Sequence, residues 1–258
     1  MLYPRELIFD DSTPDVAHDA PAGYGKGWPG LDPKGYSAVA QTDFPKDLLI
    51  PRNEWQARIE ERESRGLQLS QRIIKAGLPC KDQASTNFCW ANAPVHCVEV
   101  LRVAQNEPQV ILSPASVACP ITGFRNVGGW GTQALERIIT DGCVPISKWP
   151  ANAISRQYDT PEAREIARLY RVAKWLALTP RDLDQMVSLL LRDIPEAVAF
   201  NWWGHEVTAY DAVWVNGQIG IRCRNSWSMS YGHLGFFVLQ GGKMLADDIV
   251  APLTVLAT

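Results

Sequence analysis

The chain of 258 residues is 46% hydrophobic and 21% charged, with a formal net charge of −3 at pH 7. This length and apolar content allow a substantial core, in one domain or in a domain of two lobes. The small negative charge does not point to nucleic acid or an anionic membrane as a partner, and no apolar run approaches the length of a transmembrane helix.

The first 51 residues are rich in proline and glycine and show little apolar periodicity, which predicts an extended, irregular arm. The arm also contains many aromatic and aliphatic side chains, such as Phe9, Tyr24 and Trp28, so it should pack against the rest of the chain. A helix rich in arginine and glutamate is predicted over residues 53–75, with an interruption at Gly66.

A polar, turn-prone run leads directly into a cysteine, in the sequence Gln83-Ala-Ser-Thr-Asn-Phe-Cys89-Trp90-Ala91. Thr86 or Asn87 could cap a helix whose first turn contains Cys89. The positive end of a helix dipole stabilises a thiolate, which is the nucleophilic form of cysteine. The same pattern also fits a buried structural cysteine, because free cysteine packs as a small hydrophobic residue.

The rest of the chain reads as helices followed by strands. The helix from Cys89 should run to about residue 105, and others are predicted at 132–140, after Thr160 and after Thr179. Strands are predicted at 197–202, 207–215, 219–223 and 234–239, with a two-residue hairpin turn at Asn216-Gly217.

A cysteine nucleophile needs a base, and the base needs an acceptor that orients it. His205 and Asn225 follow Cys89 in that order along the chain, and the hairpin decides whether these two residues can meet. Simple pairing across a two-residue turn places Asn225 opposite Thr208, three residues from His205. An odd offset puts the two side chains on opposite faces of the sheet. A bulge or a longer turn is therefore expected between them if the two residues act together.

Several motifs resemble those of the papain-like cysteine proteases. The segment around Cys89 resembles the family's Gln-Gly-Ser-Cys-Gly-Ser-Cys-Trp-Ala, and Arg224-Asn225-Ser226-Trp227-Ser228 resembles its Lys-Asn-Ser-Trp-Gly. Gly128-Gly129-Trp130 is similar to its Gly-Gly loop, and Gly232-His233-Leu234-Gly235-Phe236 to a later strand. The resemblance extends over about residues 78–241. It implies an α+β, two-lobed fold with a helical lobe and an antiparallel β-barrel-like lobe.

The resemblance also implies the domain limits and the chemistry. Residues 1–77 would be an N-terminal extension, and residues 78–258 the catalytic domain. Cys89 would be the nucleophile, His205 its base and Asn225 the residue that orients the imidazole. The amide of Gln83, with the Cys89 N–H, would form the oxyanion hole. The expected reaction is hydrolysis of amide bonds in peptides or proteins through an acyl-enzyme, with no cofactor and no metal.

Substrate contacts are expected from the residues near this group. The candidates are Gly128, Gly129, Gly204, Glu206 and Trp227, although Glu206 departs from the family, which usually has a small residue there. Trp227 would also shield the His205–Asn225 hydrogen bond from water. Because a carboxylate attracts cations, Glu206 should favour basic or polar side chains next to the scissile residue.

The positions of the cysteines bear on the redox compartment in which the chain is expected to work. Secreted papain relatives have a disulfide at the positions of Thr86 and about Asn126, and both cysteines are absent here. No apolar segment typical of a signal peptide is seen near Met1. These observations favour the cytoplasm or another reducing compartment. The sequence does not decide whether Cys119 and Cys143 form a disulfide bond.

Two other functions fit the same sequence. One is a papain-fold binding or structural protein whose cleft is filled by its arm, which could also bind an assembly partner. The other is a related cysteine amidase or acyltransferase. The arm could cross the cleft or wrap around the back of the domain. We expect the back, since residues 1–77 lack the spaced motif of the family's propeptides.

Overall fold

The computed structural model describes residues 6–14, 19–30 and 44–256. Their α-helices are α1 (Arg52–Ser64), α2 (Leu69–Lys75), α3 (Cys89–Ala104), α4 (Pro114–Thr122), α5 (Gly131–Thr140), α6 (Pro161–Ala167) and α7 (Leu183–Leu190). Their strands are β1 (Leu7–Phe9), β2 (Val172–Ala177), β3 (Glu196–Phe200), β4 (His205–Val215), β5 (Gln218–Arg224), β6 (Phe236–Leu239) and β7 (Asp248–Val255). None of the helices in these ranges is long and apolar enough to cross a membrane.

The strands form one sheet in the order β1-β6-β5-β4-β3-β7-β2. The pair β1–β6 is parallel, and the other paired strands are antiparallel. Two large apolar clusters belong to two lobes. In the helical lobe, α3, α4 and α5 pack around Leu101, Leu135 and Trp149. In the β-rich lobe, α1 and α7 pack on β4, with Ile59 and Leu190 in the core. The expected α+β, two-lobed fold is confirmed.

Helix α3 is the central helix of the molecule. Every residue from Cys89 to Arg102 is buried, which is typical of a helix that is covered on all sides. It contacts β3, β4 and β7 on one side and α4 and α5 on another. The helix begins at Cys89 as predicted, but the predicted cap is wrong: Phe88 precedes it, and no side chain caps its first turn.

Two predicted helix starts have different outcomes. The Thr160 hydroxyl accepts a hydrogen bond from the Ala163 N–H at 3.1 Å and caps α6, as predicted. No helix starts at Thr179, because Arg181 has a φ of 63°, a left-handed conformation outside the helical region. Helix α7 starts after Asp182, whose carboxylate caps it. Strands β1, β2 and β7 were not predicted.

Much of the N-terminal extension is part of the core. Strand β1 extends the sheet beside β6. Trp55 of α1 is buried in the β-rich lobe, and Leu69 and Ile73 of α2 pack in a cluster with Val100 of α3. Residues 44–77 therefore pack on the body of the molecule, as expected for a permanent structural part.

Candidate active site

Strands β4 and β5 bring His205 and Asn225 together through a bulge. The pairing register shifts by one residue at Tyr210, so Thr208 pairs with Arg224 instead of Asn225. Asn225 follows Arg224 and therefore lies an even number of residues from His205 along the pair, on the same face. The His205 Nε2 and the Asn225 Oδ1 are 2.9 Å apart. The bulge that the sequence required is present.

The surroundings of His205 define its tautomer. Because the Asn225 oxygen can only accept, the Nε2 of His205 bears the proton and its Nδ1 is a free acceptor. This Nδ1 is buried and has no hydrogen-bond partner in the described ranges. The Trp227 ring stacks on the imidazole, with the ring centroids 4.4 Å apart and an interplanar angle of 21°. This is the position expected of a side chain that shields the His205–Asn225 hydrogen bond from water. Burial lowers the pKa of His205 to about 3, against the opposing effect of Asn225. The imidazole is therefore neutral.

Cys89 lies at the first position of α3 and is fully buried. Burial raises the pKa of its thiol, the charge of Glu206 raises it further, and the backbone N–H groups of Glu206, Trp90 and Trp28 lower it. The N–H of Glu206 belongs to the peptide that joins it to His205, so the start of β4 lies close to the sulfur. Burial therefore favours the protonated thiol in this closed conformation, against the thiolate that a helix dipole would stabilise.

Gln83 is held in a defined orientation by Ser226. The Ser226 hydroxyl donates to the Gln83 Oε1 at 2.5 Å, and the Gln83 backbone N–H donates to the Ser226 carbonyl at 2.8 Å. The side-chain Nε2 then donates to the carbonyls of Gly25 and Thr86, each at 2.9 Å. The Gln83 Nε2, one of the two predicted oxyanion-hole donors, is thus hydrogen-bonded to the Gly25 carbonyl of the arm.

The arm crosses the cleft in front of these residues. The Gly25 carbonyl accepts from Gln83 and, at 3.2 Å, from the indole N–H of Trp227. The Gly27 carbonyl accepts from the Gly129 N–H at 3.1 Å. These donors are the ones expected to bind substrate. The expectation that the arm avoids the cleft is wrong for residues 25–30, although residues 44–77 do pack elsewhere.

Glycines allow this close approach. A Cβ atom added to Gly25 would lie 2.3 Å from the Thr86 carbonyl oxygen, and one added to Gly27 would lie 2.1 Å from that of Asn87. Real Cβ atoms are never so close to a backbone oxygen. Only glycine at positions 25 and 27 allows the arm to pass this close to the backbone of Thr86 and Asn87.

Trp28 fills the space beside the nucleophile. It is 5% exposed and packs in a cluster with Cys89, Ala199 and Trp130. Its indole N–H donates to the Asn201 Oδ1 at 3.2 Å. We call this space the Trp28 pocket.

The other predicted substrate contacts lie along the same path. A Cβ on Gly128 would be 2.3 Å from the Gly27 oxygen, and one on Gly204 would be 3.9 Å from that of Trp28. Glu206 is different, because its side chain is 1% exposed. It points under the cleft toward Gly131, where a Cβ would be 2.4 Å from its Oε1.

Solved structures with a similar fold are cysteine proteases. Xylellain, a cysteine protease from Xylella fastidiosa, matches with a TM-score of 0.63 and 17% identity over 92% of this chain and 96% of its own. Procathepsin L 3 from the larval midgut of Tenebrio molitor matches with a TM-score of 0.60 and 18% identity, over 68% and 66%. The bromelain protease of Ananas comosus, in complex with E64, matches with a TM-score of 0.59 and 20% identity, over 71% and 97%.

This chain has the papain-like fold. The share matched by xylellain is larger than residues 78–258 alone could supply, so that likeness includes part of the N-terminal extension. No family model and no curated protein matches the chain.

Asn126 tethers the loop that precedes Cys89 through hydrogen bonds. The Asn126 Oδ1 accepts from the Asn87 N–H at 2.6 Å, and its Nδ2 donates to the Ser85 carbonyl at 3.2 Å. All six cysteines lie in the described ranges, and all are free thiols. Within those ranges, no group of three or more His, Cys, Asp or Glu residues could hold a metal ion.

We predict that Asn126→Ala lowers the Tm because the loop before Cys89 loses two hydrogen bonds. At about 1 kcal/mol each, the loss corresponds to about 4–8 °C in Tm. Reducing agent should leave the melting curves of both proteins unchanged. Thermal melts with and without reductant test both statements, and an unchanged Tm in the variant would show that the tether is not needed.

Two positions that are glycine in the papain-like motifs have other residues here. Ala84 has a φ of 46° and Ser228 a φ of 67°. This left-handed region is unfavourable for residues with a Cβ atom, by about 1–2 kcal/mol. The Ser228 hydroxyl partly compensates through a 2.8 Å hydrogen bond with that of Ser230. At both positions the backbone has a left-handed conformation that favours glycine, although this chain has alanine and serine there.

We expect Ala84→Gly to raise the free energy of unfolding by about 0.5–1 kcal/mol, since relief of strain exceeds the entropy of a glycine in the unfolded chain. The matched control is Ala57→Gly, at an exposed position of helix α1, which should lower it by about 1 kcal/mol. Urea denaturation of both variants provides the test. Equal destabilisation by both would contradict the strain at Ala84.

Asp248 is a buried acid near the candidate site that the sequence analysis did not single out. It begins β7, pairs with Ala199 of β3, and is 2% exposed. Neither of its carboxyl oxygens has a hydrogen-bond partner within residues 6–14, 19–30 and 44–256. Burial raises its pKa from 3.8 to about 7. No motif identifies it, because β7 lies beyond the last segment that resembles the family.

Asp248 should make stability depend on pH. Its folded pKa is higher than its unfolded pKa, so the stability it contributes is fully present below about pH 4 and is lost as the pH rises through about 7. Asp248→Asn does not titrate. We therefore expect its Tm relative to wild type to increase from pH 4 to pH 8, corresponding to at most about 4 kcal/mol. Since other groups cancel in this difference, a flat difference would place the Asp248 pKa near its ordinary value.

Proposed function

We propose that the protein is a cysteine-dependent peptidase that is held closed by its own arm. The observation that supports this best is the His205–Asn225 pair, with the free Nδ1 of a neutral imidazole at the start of β4 and the backbone of that strand beside Cys89. A neutral imidazole with a free acceptor nitrogen can deprotonate a thiol that reaches it, and the thiolate can attack a carbonyl. The His205 Nδ1 makes no hydrogen bond to Cys89 in this closed conformation, so we propose that the contact forms when the arm leaves. The cysteine protease neighbours agree with this chemistry.

The reaction follows from the positions of these groups. The Cys89 sulfur attacks the scissile carbonyl carbon while the His205 Nδ1 takes the thiol proton. The Gln83 Nε2–H and the Cys89 backbone N–H donate to the oxyanion. His205 then gives its proton to the leaving amine, and a thioester remains on Cys89. Water attacks the thioester with His205 as base, which releases the acid and restores the thiol.

The arm explains why the closed form should be inactive. Its carbonyls occupy the donors of Gln83, Gly129 and Trp227, and Trp28 covers the thiol. The burial that it causes keeps both Cys89 and His205 uncharged. Displacement of the arm would admit water and substrate together, and would let the helix dipole favour the thiolate.

The buried thiol also favours a second candidate. A permanently closed papain-like protein would act as a binding or structural protein, and its arm would be a fixed plug. The full burial of Cys89 is the observation in its favour. An amidase or acyltransferase remains a variant of the first proposal, since the acyl-enzyme would be the same and only the acceptor would differ.

The chain is proposed to work in the cytoplasm or another reducing compartment. Six free thiols and an asparagine tether in place of a disulfide support this. A peptide or protein is the proposed substrate.

The deciding experiment uses an irreversible epoxide inhibitor of papain-like enzymes. We expect it to label Cys89 slowly in the full chain and rapidly in Trp28→Ala, with no label in Cys89→Ala. Peptide digestion and mass spectrometry identify the site. An added amine then separates a hydrolase from an acyltransferase by its products. If Cys89 stays unlabelled in Trp28→Ala while that protein is folded, the proposal of a peptidase is wrong and the plugged binding protein is favoured.

A further inference from the structure

A cavity of about 320 Å³ lies in the helical lobe, between α4, the end of α5 and α6. The described residues that line it include none of the candidate active site. Its volume is within the usual range of small-molecule sites, about 300–1,000 Å³. The apolar part of its wall consists of Pro120, Val144, Trp149, Ala163 and Ala167. A ligand of this cavity should therefore have an apolar body.

Two ion pairs belong to the polar part of this wall. The Arg137 Nη1 of α5 lies 2.9 Å from the Asp141 Oδ2. At the start of α6, the Nε and Nη2 of Arg164 donate to the two carboxylate oxygens of Asp159, at 2.8 and 2.9 Å. The pKa of Asp159 is lowered by its hydrogen bonds with Arg164 and also by the charge of Arg137. The two pairs therefore lie near each other in the wall.

Arg137 differs from Arg164 in the edge of the guanidinium group that binds its partner. Arg164 uses the edge that carries Nε and Nη2, whereas Arg137 contacts Asp141 through Nη1, on the opposite side from Nε. The Arg137 Nε is buried and has no hydrogen-bond partner among residues 6–14, 19–30 and 44–256. A buried donor of a charged group without a partner costs free energy. An anion that accepts from this edge would remove the cost.

The charges around the cavity favour a ligand with a single negative charge. Three arginines line it against two aspartates, which leaves one positive charge in excess. The third arginine, Arg168, pairs with Glu165, but both side chains are exposed, and such a pair is weak. Asp159 stays ionised, since Arg164 holds its pKa below the usual range. The two aspartates would repel a dianion such as hydrogen phosphate more than a carboxylate, and a planar carboxylate matches the edge of a guanidinium group.

We propose that this cavity, which we call the Arg137 cavity, binds a small monocarboxylate with an aromatic or branched aliphatic body. The carboxylate accepts hydrogen bonds from the Nε edge of Arg137, and the body packs against Trp149 and the alanines of α6. Asp141 holds the guanidinium group from its other side and so keeps this edge in place. Binding here needs neither Cys89 nor displacement of the arm, so the site is present in the closed chain whether or not the protein is a peptidase.

The first test uses benzoate as the probe and benzamide as its neutral counterpart of nearly the same shape. In calorimetric titrations of the full chain near neutral pH, we expect one benzoate to bind per chain. Benzamide and inorganic phosphate should each bind at least about tenfold more weakly. At about ten times its Kd, benzoate should raise the Tm by about 3–6 °C. Equal binding of benzamide, or of phosphate, would contradict the recognition of a carboxylate with an apolar body.

Variants of Arg137 show where benzoate binds. Arg137→Gln removes the charge and should weaken binding by about 10–100-fold. Arg137→Lys keeps the charge without the planar edge and should weaken it by about tenfold, which also provides a test if the glutamine variant does not fold. The matched control is Arg52→Gln, which removes an arginine paired with Asp184 in the β-rich lobe and should bind benzoate as the native chain does. Unchanged binding in both Arg137 variants, or no saturable binding to the native chain, would overturn the inference and indicate a cavity filled by water.

Discussion

Replacement of Trp28 by alanine should raise the rate of peptide hydrolysis by about 10²-fold at equal protein concentration. Removal of a buried tryptophan side chain costs about 3–5 kcal/mol, and Trp28 supplies that burial only when the arm is in the cleft. Each 1.4 kcal/mol changes the ratio of open to closed chains tenfold. The glycines and backbone hydrogen bonds of residues 25–30 still hold the arm weakly, so opening should remain partial.

A matched tryptophan separates opening from general loosening. Trp175 is half-buried on the edge strand β2, and Trp175→Ala should lower the Tm without raising turnover. Initial rates with a general fluorogenic peptide, corrected with Cys89→Ala, give the comparison. Equal rates for wild type and Trp28→Ala, with both folded, would show that the arm does not limit access to Cys89.

The sequence predicted one contact of the candidate site better than the state of its thiol. His205 and Asn225 are hydrogen-bonded, as the motif resemblance implied. Even the geometric conflict in the hairpin was informative, since it required the bulge that the structure has at Tyr210. The charge state of Cys89 was not predictable in this way. It depends on burial by Trp28, which is 61 positions earlier in the chain and has no motif.

The same reason explains the other misses. The path of the arm depends on long-range fit, in which Gly25 and Gly27 pass the backbone near Asn87. Local pattern predicts that such a segment is extended, but not where it lies. Asp248 was missed because what distinguishes it is its neighbours in the sheet and not the residues beside it in sequence. An aspartate at the start of a strand is ordinary, and only the strand pairing shows that Ala199 lies between it and Glu206. Conversely, the backbone at Ala84 has the left-handed conformation that favours glycine, although alanine replaces the glycine of the motif.

Gln83→Ala should lower kcat by about 10²–10³-fold while KM changes little, since an oxyanion donor acts mainly on the transition state. The measurement belongs in the Trp28→Ala background, because in the closed chain the same amide also binds the Gly25 carbonyl and its loss would loosen the arm. Without that precaution the two effects would oppose each other and partly cancel.

Ser226 provides the graded control for this prediction. Its hydroxyl holds the Gln83 Oε1, so Ser226→Ala leaves the donor present but free to rotate. A smaller loss of kcat is expected, about tenfold. Gln83→Glu keeps the shape and removes the N–H donors, and should be as slow as Gln83→Ala. If Gln83→Ala retains full kcat in the opened chain, Gln83 is only a clamp for the arm and the oxyanion must be stabilised by other donors. If Ser226→Ala alone is as slow as Gln83→Ala, the orientation of the amide is decisive, because a donor that can rotate away contributes nothing to the transition state.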